Sequence, residues 1–180
     1  MEMEALKQKI LEAGATKVGA VAVKDIQFDQ GFRAMCESNA CGNYGKCYTC
    51  PPDCGDIQDL IQRLQGYETA LVYQTISPLE DSYDFEGMME AGAKHNQLTN
   101  SLTQWFKENL DGAFYHVGAG GCRLCQRCGK LTGEPCRHPD LAIPSLEAHG
   151  VNVSELAAAA GMNYINGQNT VTYFGAVFLK

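Results

Sequence analysis

The sequence has little positive charge and no long hydrophobic run. Its 14 Lys and Arg residues stand against 21 Asp and Glu residues, which gives a formal net charge of −7. Because phosphate binding needs a basic surface, this balance argues against a nucleic-acid partner. No stretch is apolar enough to span a bilayer, and the charged residues 1–15 lack the apolar core of a signal peptide. We therefore expect a cytoplasmic protein without a nucleic-acid or membrane partner.

Cysteine is abundant, with nine residues, whereas histidine occurs only four times. The cytoplasm keeps thiols reduced, and an odd number of cysteines leaves at least one unpaired, so disulfides explain the cysteines poorly. Metal or cluster ligation is the better interpretation. Five cysteines lie between residues 36 and 54 and four between residues 120 and 139, which we call the first and second cysteine loops.

The order of apolar segments predicts an α+β fold, with a sheet of four to five strands, packed helices and two cysteine-rich cluster-binding loops. Residues 1–180 are expected to form a single metal-binding domain. Periodicity and capping residues predict helices at 2–13, 57–64, 86–110, 145–149 and 154–160, and strands at 16–23, 69–76, 114–117 and 170–179. Ser145 and Ser154 are expected to cap the two short helices. Because each cysteine loop follows a predicted strand, we expect both loops at one end of the sheet.

The second cysteine loop has the spacing of an iron–sulfur site. Cys122, Cys125 and Cys128 form C-x2-C-x2-C, and Cys136 follows after seven residues. Thiolates two residues apart on a tight turn point into one concavity, where backbone N–H groups stabilise a negatively charged cluster. The bacterial ferredoxin run differs in placing proline after its fourth cysteine, whereas here Pro135 precedes it. A structural zinc remains the alternative, although zinc sites usually present two cysteine pairs separated by a longer loop.

The first cysteine loop carries more thiols than one tetrahedral zinc requires. Its members are Cys36, Cys41, Cys47, Cys50 and Cys54. No histidine lies near them in sequence, and a thiolate-only site favours zinc or iron–sulfur. Tyr44 is a candidate cover against water, or simply a half-buried loop aromatic.

Basic and imidazole side chains accompany the second loop. His138 follows Cys136 closely and could replace a thiolate, although a solvent-facing histidine is the simpler interpretation. The basic residues are Arg123, Arg127, Lys130 and Arg137. They could offset cluster charge or receive an acidic redox partner, and a merely solvated surface explains them equally well.

Two motifs resemble those of a widespread prokaryotic family of predicted metal-binding proteins of unknown function. The first is CG-x-YG-x4-CPP, from Cys41 to Pro52, and the second combines GGCRLCQRC with EPCRHPDLAIPSLEAHGVNV. The resemblance covers nearly the whole chain and implies iron–sulfur or other metal binding without an assigned reaction. The family positions that it assigns are Cys36, Cys41, Cys50, Cys122, Cys125, Cys128 and Cys136. Cys47 and Cys54 lie outside the pattern, so their role as ligands stays open.

These observations favour an iron–sulfur protein with one or two [4Fe–4S] clusters, acting in electron transfer or as accessory to a redox enzyme. Such a protein needs a redox partner protein, and a homo-oligomer is compatible with the sequence. The first alternative is an enzyme in which a cluster held by three cysteines leaves an iron open as a Lewis acid or reductive centre. The second is a zinc-stabilised binding module. Whether the chain is an enzyme stays open at this point.

Overall fold

Four antiparallel strands form one sheet in a computed structural model that describes residues 1–180. The strands are β1 (Lys17–Ala22), β2 (Thr69–Pro78), β3 (Phe114–Val117) and β4 (Thr170–Leu179). Their spatial order is β1-β2-β4-β3, so the last strand in the chain lies between β2 and β3. The predicted α+β fold with a sheet of four to five strands is confirmed.

Five α-helices accompany the sheet. They are α1 (Met3–Glu12), α2 (Phe32–Glu37), α3 (Ile57–Gln65), α4 (Phe85–Asn109) and α5 (Val153–Ala159). The carboxylate of Asp56 caps α3 by accepting a hydrogen bond from Gln58 N at 2.8 Å. The predicted cap of α5 was wrong, because the helix begins one residue earlier and Asn152 accepts from Glu155 N instead. None of these helices is both long and apolar enough to cross a membrane.

The two faces of the sheet bury different sets of side chains, as the alternation of a strand requires. On β2, Leu71 and Tyr73 pack with side chains of α1 and α4. Ala70 and Val72 point to the other face and pack with Leu64 of α3 and with side chains of α5. The sheet is therefore covered on both sides, and residues 145–153 share the α3 and α5 side.

The two strands that precede the cysteine loops end at opposite ends of the sheet, although the loops themselves contact each other. Strand β1 runs antiparallel to β2, β2 to β4, and β4 to β3, so β1 and β3 are antiparallel to each other. The sequence could not reveal this, because relative strand direction depends on the non-local pairing of β4. The chain after β1 nevertheless returns along the α3 and α5 side, where Phe28 pairs with Val151.

Candidate metal centre

Three cysteines of the first loop line one cavity of about 450 Å³. Cys36 is held on helix α2, whereas Cys41 and Cys50 lie on the irregular chain that follows it. The other walls come from neighbouring residues of α2 and the first loop, from residues 120–121, from residues 145–154 and from Tyr164. We call this space the three-cysteine cavity. It joins parts of the chain that are distant in sequence.

All four cysteines of the second loop line a second, much smaller cavity of about 20 Å³. They are Cys122, Cys125, Cys128 and Cys136, and the exposed His138 lines the same space. A volume of this size holds about one water molecule. A [4Fe–4S] cluster would therefore need the loop to open around it, and the exposed positions of Gln126 and Arg127 leave room for that movement. We call this space the four-cysteine cavity.

A direct hydrogen bond and an ion pair join the two loops. The Tyr48 hydroxyl donates to the backbone carbonyl of Glu134 at 2.7 Å. The Lys130 ammonium lies 2.5 Å from the Asp53 carboxylate, and both side chains are largely buried. The two loops also pack closely at Gly121. A Cβ at this position would lie 3.1 Å from the Asn43 side chain, so the absence of a side chain allows the contact. The two cavities therefore belong to one continuous structure.

Cys47 lies at the junction between the loops. Hydrogen bonding from the Cys50 thiol, and to a lesser extent from Thr49 and the Cys122 amide, lowers the pKa of Cys47 to about 5. The same bond, together with burial, raises the pKa of the Cys50 thiol above its ordinary value. Cys47 lines neither of the two cavities, so the structure places it between the two groups of cysteines.

Burial raises the pKa of several other thiols. It raises the pKa of Cys36, where the neighbouring Cys41 acts in the same direction, and it also raises the pKa of Cys122. A metal ion or cluster would offset this penalty, because ligation requires the deprotonated thiolate. Burial also raises the pKa of Cys54, against the opposing effect of Arg33. The Arg33 guanidinium lies 3.9 Å from the Cys54 sulfur and donates to the Gly55 carbonyl at 2.6 Å.

Glu147 brings a carboxyl group to the three-cysteine cavity. It begins the 3₁₀ turn Glu147–His149, and burial raises its pKa above the ordinary value. Ser145 Oγ accepts a hydrogen bond from Ala148 N at 3.1 Å, which orders this turn. The N-cap of this turn is Leu146, so Ser145, the predicted cap, lies one residue before it.

The basic residues near the second loop divide into paired and unpaired members. Lys130 is held by Asp53, and Arg137 lies 2.7 Å from the Glu134 carboxylate. A hydrogen bond with the Cys125 thiol raises the pKa of Arg137. Arg123 and Arg127 form no ion pair.

Sequence reasoning did not anticipate several cavity residues. Tyr44 does line the three-cysteine cavity, as its predicted covering role required, but Asn43, Asn152 and Tyr164 were not expected there. Glu147 belongs to the PSLEAHG part of the family motif, which could have indicated a functional role. From the sequence alone, the motif indicates only a helix cap at Ser145. Asn43 lies in the first cysteine loop itself, between Cys41 and Tyr44. Asn152 and Tyr164 come from distant segments whose approach depends on tertiary packing, so no local pattern could indicate them.

The donor set suits a soft metal or an iron–sulfur cluster. The four-cysteine cavity offers four thiols, and the three-cysteine cavity offers three thiols with one carboxyl group. All nine cysteines are free of disulfides. No three His, Cys, Asp or Glu side chains converge as a single bound ion requires. Around one zinc ion, tetrahedral geometry would bring the sulfurs within about 3.8 Å of each other.

Comparison with known proteins gives one match. The family described as "Predicted metal-binding protein (DUF2284)" matches residues 19–179. No curated protein and no solved structure matches the chain.

Proposed function

Since this chain belongs to the family of predicted metal-binding proteins, we propose that it is an iron–sulfur protein with two cluster sites that moves electrons. Cys122, Cys125, Cys128 and Cys136 would hold one [4Fe–4S] cluster. Cys36, Cys41 and Cys50 would hold the second. Each cluster would supply one-electron transfer at its own site.

One observation carries this proposal. The seven cysteines separate into a group of four and a group of three, each group around its own cavity, and the two loops contact each other. The thiols of the four-cysteine cavity include no carboxylate neighbour among the lining residues, which favours soft metals over Mg²⁺ or Ca²⁺. The thiols do not converge on a single ion position, so metal analysis of the purified protein decides between a zinc-stabilised module and a cluster protein.

The surface around the second loop supports a redox partner of acidic character. Arg127 is exposed and free of ion pairs, and Arg123 is likewise without a carboxylate partner. Positive side chains steer an acidic protein toward this loop and help to neutralise a cluster. The proposed electron path then runs from the partner to the four-cysteine site and across the junction at Cys47 to the three-cysteine site.

A second candidate function is favoured by the size of the three-cysteine cavity. A volume of about 450 Å³ lies within the range of ligand-binding sites, and the Glu147 carboxyl lines it together with the three thiols. Three thiolates would leave one iron of a [4Fe–4S] cluster without a cysteine ligand. The protein would then be an enzyme that reduces or activates a small molecule in this cavity.

The test is anaerobic purification followed by measurement of iron, acid-labile sulfide and zinc per chain. We expect a brown protein with about eight irons and eight sulfides, and an absorbance shoulder that dithionite bleaches. The Cys125→Ser and Cys36→Ser variants should each lose about half of the iron, because each removes one ligand of a different site. Colourless protein with stoichiometric zinc, even after anaerobic cluster reconstitution, would overturn the proposal.

The two functions are separated by EPR of the reduced protein. Cyanide and imidazole serve as small probe ligands. A change in the signal on adding either probe, abolished in Cys36→Ser but retained in Cys125→Ser, supports the enzyme. An unchanged spectrum with both clusters present supports electron transfer alone.

A further inference from the structure

We propose that the three-cysteine cavity binds an uncharged, mainly apolar small molecule that carries one hydrogen-bonding group directed at Glu147. This inference deepens the second candidate function, because the bound molecule would be a substrate only if the protein is that enzyme. The binding itself follows from the walls of the cavity.

The walls are mostly apolar and include two aromatic rings of tyrosine. Phe32, Tyr44, Val153 and Tyr164 line the space. Nine of its 17 lining residues are hydrophobic, and three of these nine are the cysteines. Aromatic rings give large contact areas to a flat or aliphatic ligand. The apolar lining disfavours an ionic group on the ligand, because a charge buried without a partner is strongly penalised.

The electrostatics of the cavity disfavour anions most of all. No Lys, Arg or His is among the lining residues, whereas the Glu147 carboxyl and three thiols are. Phosphate and carboxylate ligands are usually recognised by Arg, by Lys or by the N-terminus of a long helix. This cavity offers no cation to such a ligand. We therefore do not expect the preferred ligand to be a nucleotide, a phosphorylated metabolite or an organic acid.

The mouth of the cavity extends the apolar surface into solvent. Met35 and Tyr164 line the cavity, yet their exposed fractions are 65% and 51%. Ile165, next to Tyr164, is 76% exposed. Large apolar side chains grouped at an opening are typical of binding sites. They provide a contact surface for the part of the ligand that projects from the cavity.

Glu147 is the single acidic residue among those that line the cavity. Its carboxyl lines the cavity without a basic partner. Asn43 and Asn152 add amide groups to the same space. A few polar groups in an apolar cavity fix the orientation of a ligand and give specificity.

A pair of probes with one skeleton tests the charge preference. N-phenyl-1-naphthylamine is uncharged, and 8-anilinonaphthalene-1-sulfonate is the same molecule with a sulfonate. Equilibrium dialysis of the anaerobically purified protein measures both without interference from cluster absorption. We expect one molecule of the neutral probe per chain and an affinity roughly tenfold higher than for the sulfonate, equivalent to about 1.4 kcal/mol. Equal affinities, or tighter binding of the sulfonate, would overturn the inference.

Two variants with matched controls locate the bound probe. Glu147→Gln should narrow the affinity ratio, because it removes the negative charge that repels the sulfonate. Glu12→Gln changes an exposed residue of α1 and should leave the affinity ratio unchanged. Ser154→Trp should weaken the neutral probe several-fold by filling the cavity wall, whereas Ser101→Trp, exposed on α4, should not. Binding that is insensitive to both cavity variants would place the probe elsewhere and refute the proposal.

Iron and sulfide analysis on the same samples separates the two proposals. If the protein contains no iron but still binds the neutral probe more tightly, the proposed clusters are refuted and the proposed ligand preference of the cavity is supported. Iron-loaded protein that fails to distinguish the probes would refute the cavity assignment alone.

Discussion

Three buried histidines, His95, His116 and His149, link the stability of the protein to pH. His149 is fully buried, and burial lowers its pKa to about 4. His95 is 2% exposed and His116 is 3% exposed. The hydroxyl groups of Tyr73 and Thr103 contact the two ring nitrogens of His116 at 2.9 and 2.8 Å, and Thr75 contacts His95 Nδ1 at 2.8 Å. Burial lowers the pKa from 6.5 to about 4 for His95 and about 3 for His116.

We predict that acid destabilises the fold from about pH 6.5 downward, before most carboxylates titrate. The unfolded chain binds protons below the ordinary pKa of 6.5, whereas these folded-state histidines stay neutral until about pH 4 or lower. Each histidine therefore lowers the free energy of unfolding by up to about 1.4 kcal/mol per pH unit in this interval. Urea unfolding between pH 7 and pH 5 measures the slope. His95→Gln and His116→Gln should reduce the slope, and the exposed-site variant His138→Gln should preserve it.

Cys54 is the next residue for which the structure makes a prediction, because it stands apart from the proposed ligands. It lies beside Arg33 and lines neither cavity. We expect Cys54→Ser to keep the full iron content, because the thiol occupies no proposed ligand position. Iron analysis of the variant, measured beside Cys50→Ser, provides the comparison. A loss of iron in Cys54→Ser equal to that in Cys50→Ser would make Cys54 the missing ligand of the first loop.

Among the elements, strands β2 and β4 show why a glycine stands in the middle of a central strand. Tyr73 and Gly175 are directly opposite each other in the ladder, and the Tyr73 ring lies over the glycine. A Cβ at position 175 would overlap that ring. Because Tyr73 is fully buried and bonded to His116, the ring cannot move aside without breaking the polar contacts of the core.

Gly175→Ala should therefore destabilise the protein by about 1–3 kcal/mol, as overpacking of a core does. Chemical denaturation of the variant measures the effect. Gly112→Ala is the matched control, because no atom lies within 4 Å of the added methyl group and the position is exposed. Equal stability of the two variants would show that the ring shifts freely.

Local patterns predicted most of the elements but not their arrangement. Strands 114–117 and 170–179 agree with the structure residue for residue, and the helix capped by Asp56 was also identified. Helix α2 was not predicted, because its six residues lie in a cysteine-rich segment without apolar periodicity. The spacing of the second loop grouped Cys122, Cys125, Cys128 and Cys136, which line one cavity. The group of Cys36, Cys41 and Cys50 came from the family resemblance. The proximity of Glu147 and Tyr164 to Cys36 depends on tertiary packing, which short sequence windows do not contain.

The whole molecule combines a sheet whose packing is independent of cysteine with two loops that depend on one another. Neither of the two hydrophobic clusters includes a cysteine. The loops instead rely on polar ties such as Lys130 with Asp53 and Tyr48 with Glu134. Metal binding should therefore determine the order of the loops more than the stability of the sheet.

Removal of metal should increase amide exchange in residues 36–54 and 120–139 and leave β2 and β4 protected. Hydrogen–deuterium exchange of the anaerobic protein before and after chelation measures this difference. Cys125→Ser provides the local control, with faster exchange expected mainly in the second loop. Global loss of protection across the sheet would show that the metal stabilises the entire fold.

The central position of β4 has a consequence for synthesis. Strand β3 has no partner other than β4, and β4 follows every other element along the chain. A nascent polypeptide that stops before residue 170 therefore lacks the strand that joins β3 to β2. The loop after β3 would then lack the support that pairing with β4 gives to β3. We therefore expect metal to enter the two proposed sites only after β4 has emerged from the ribosome.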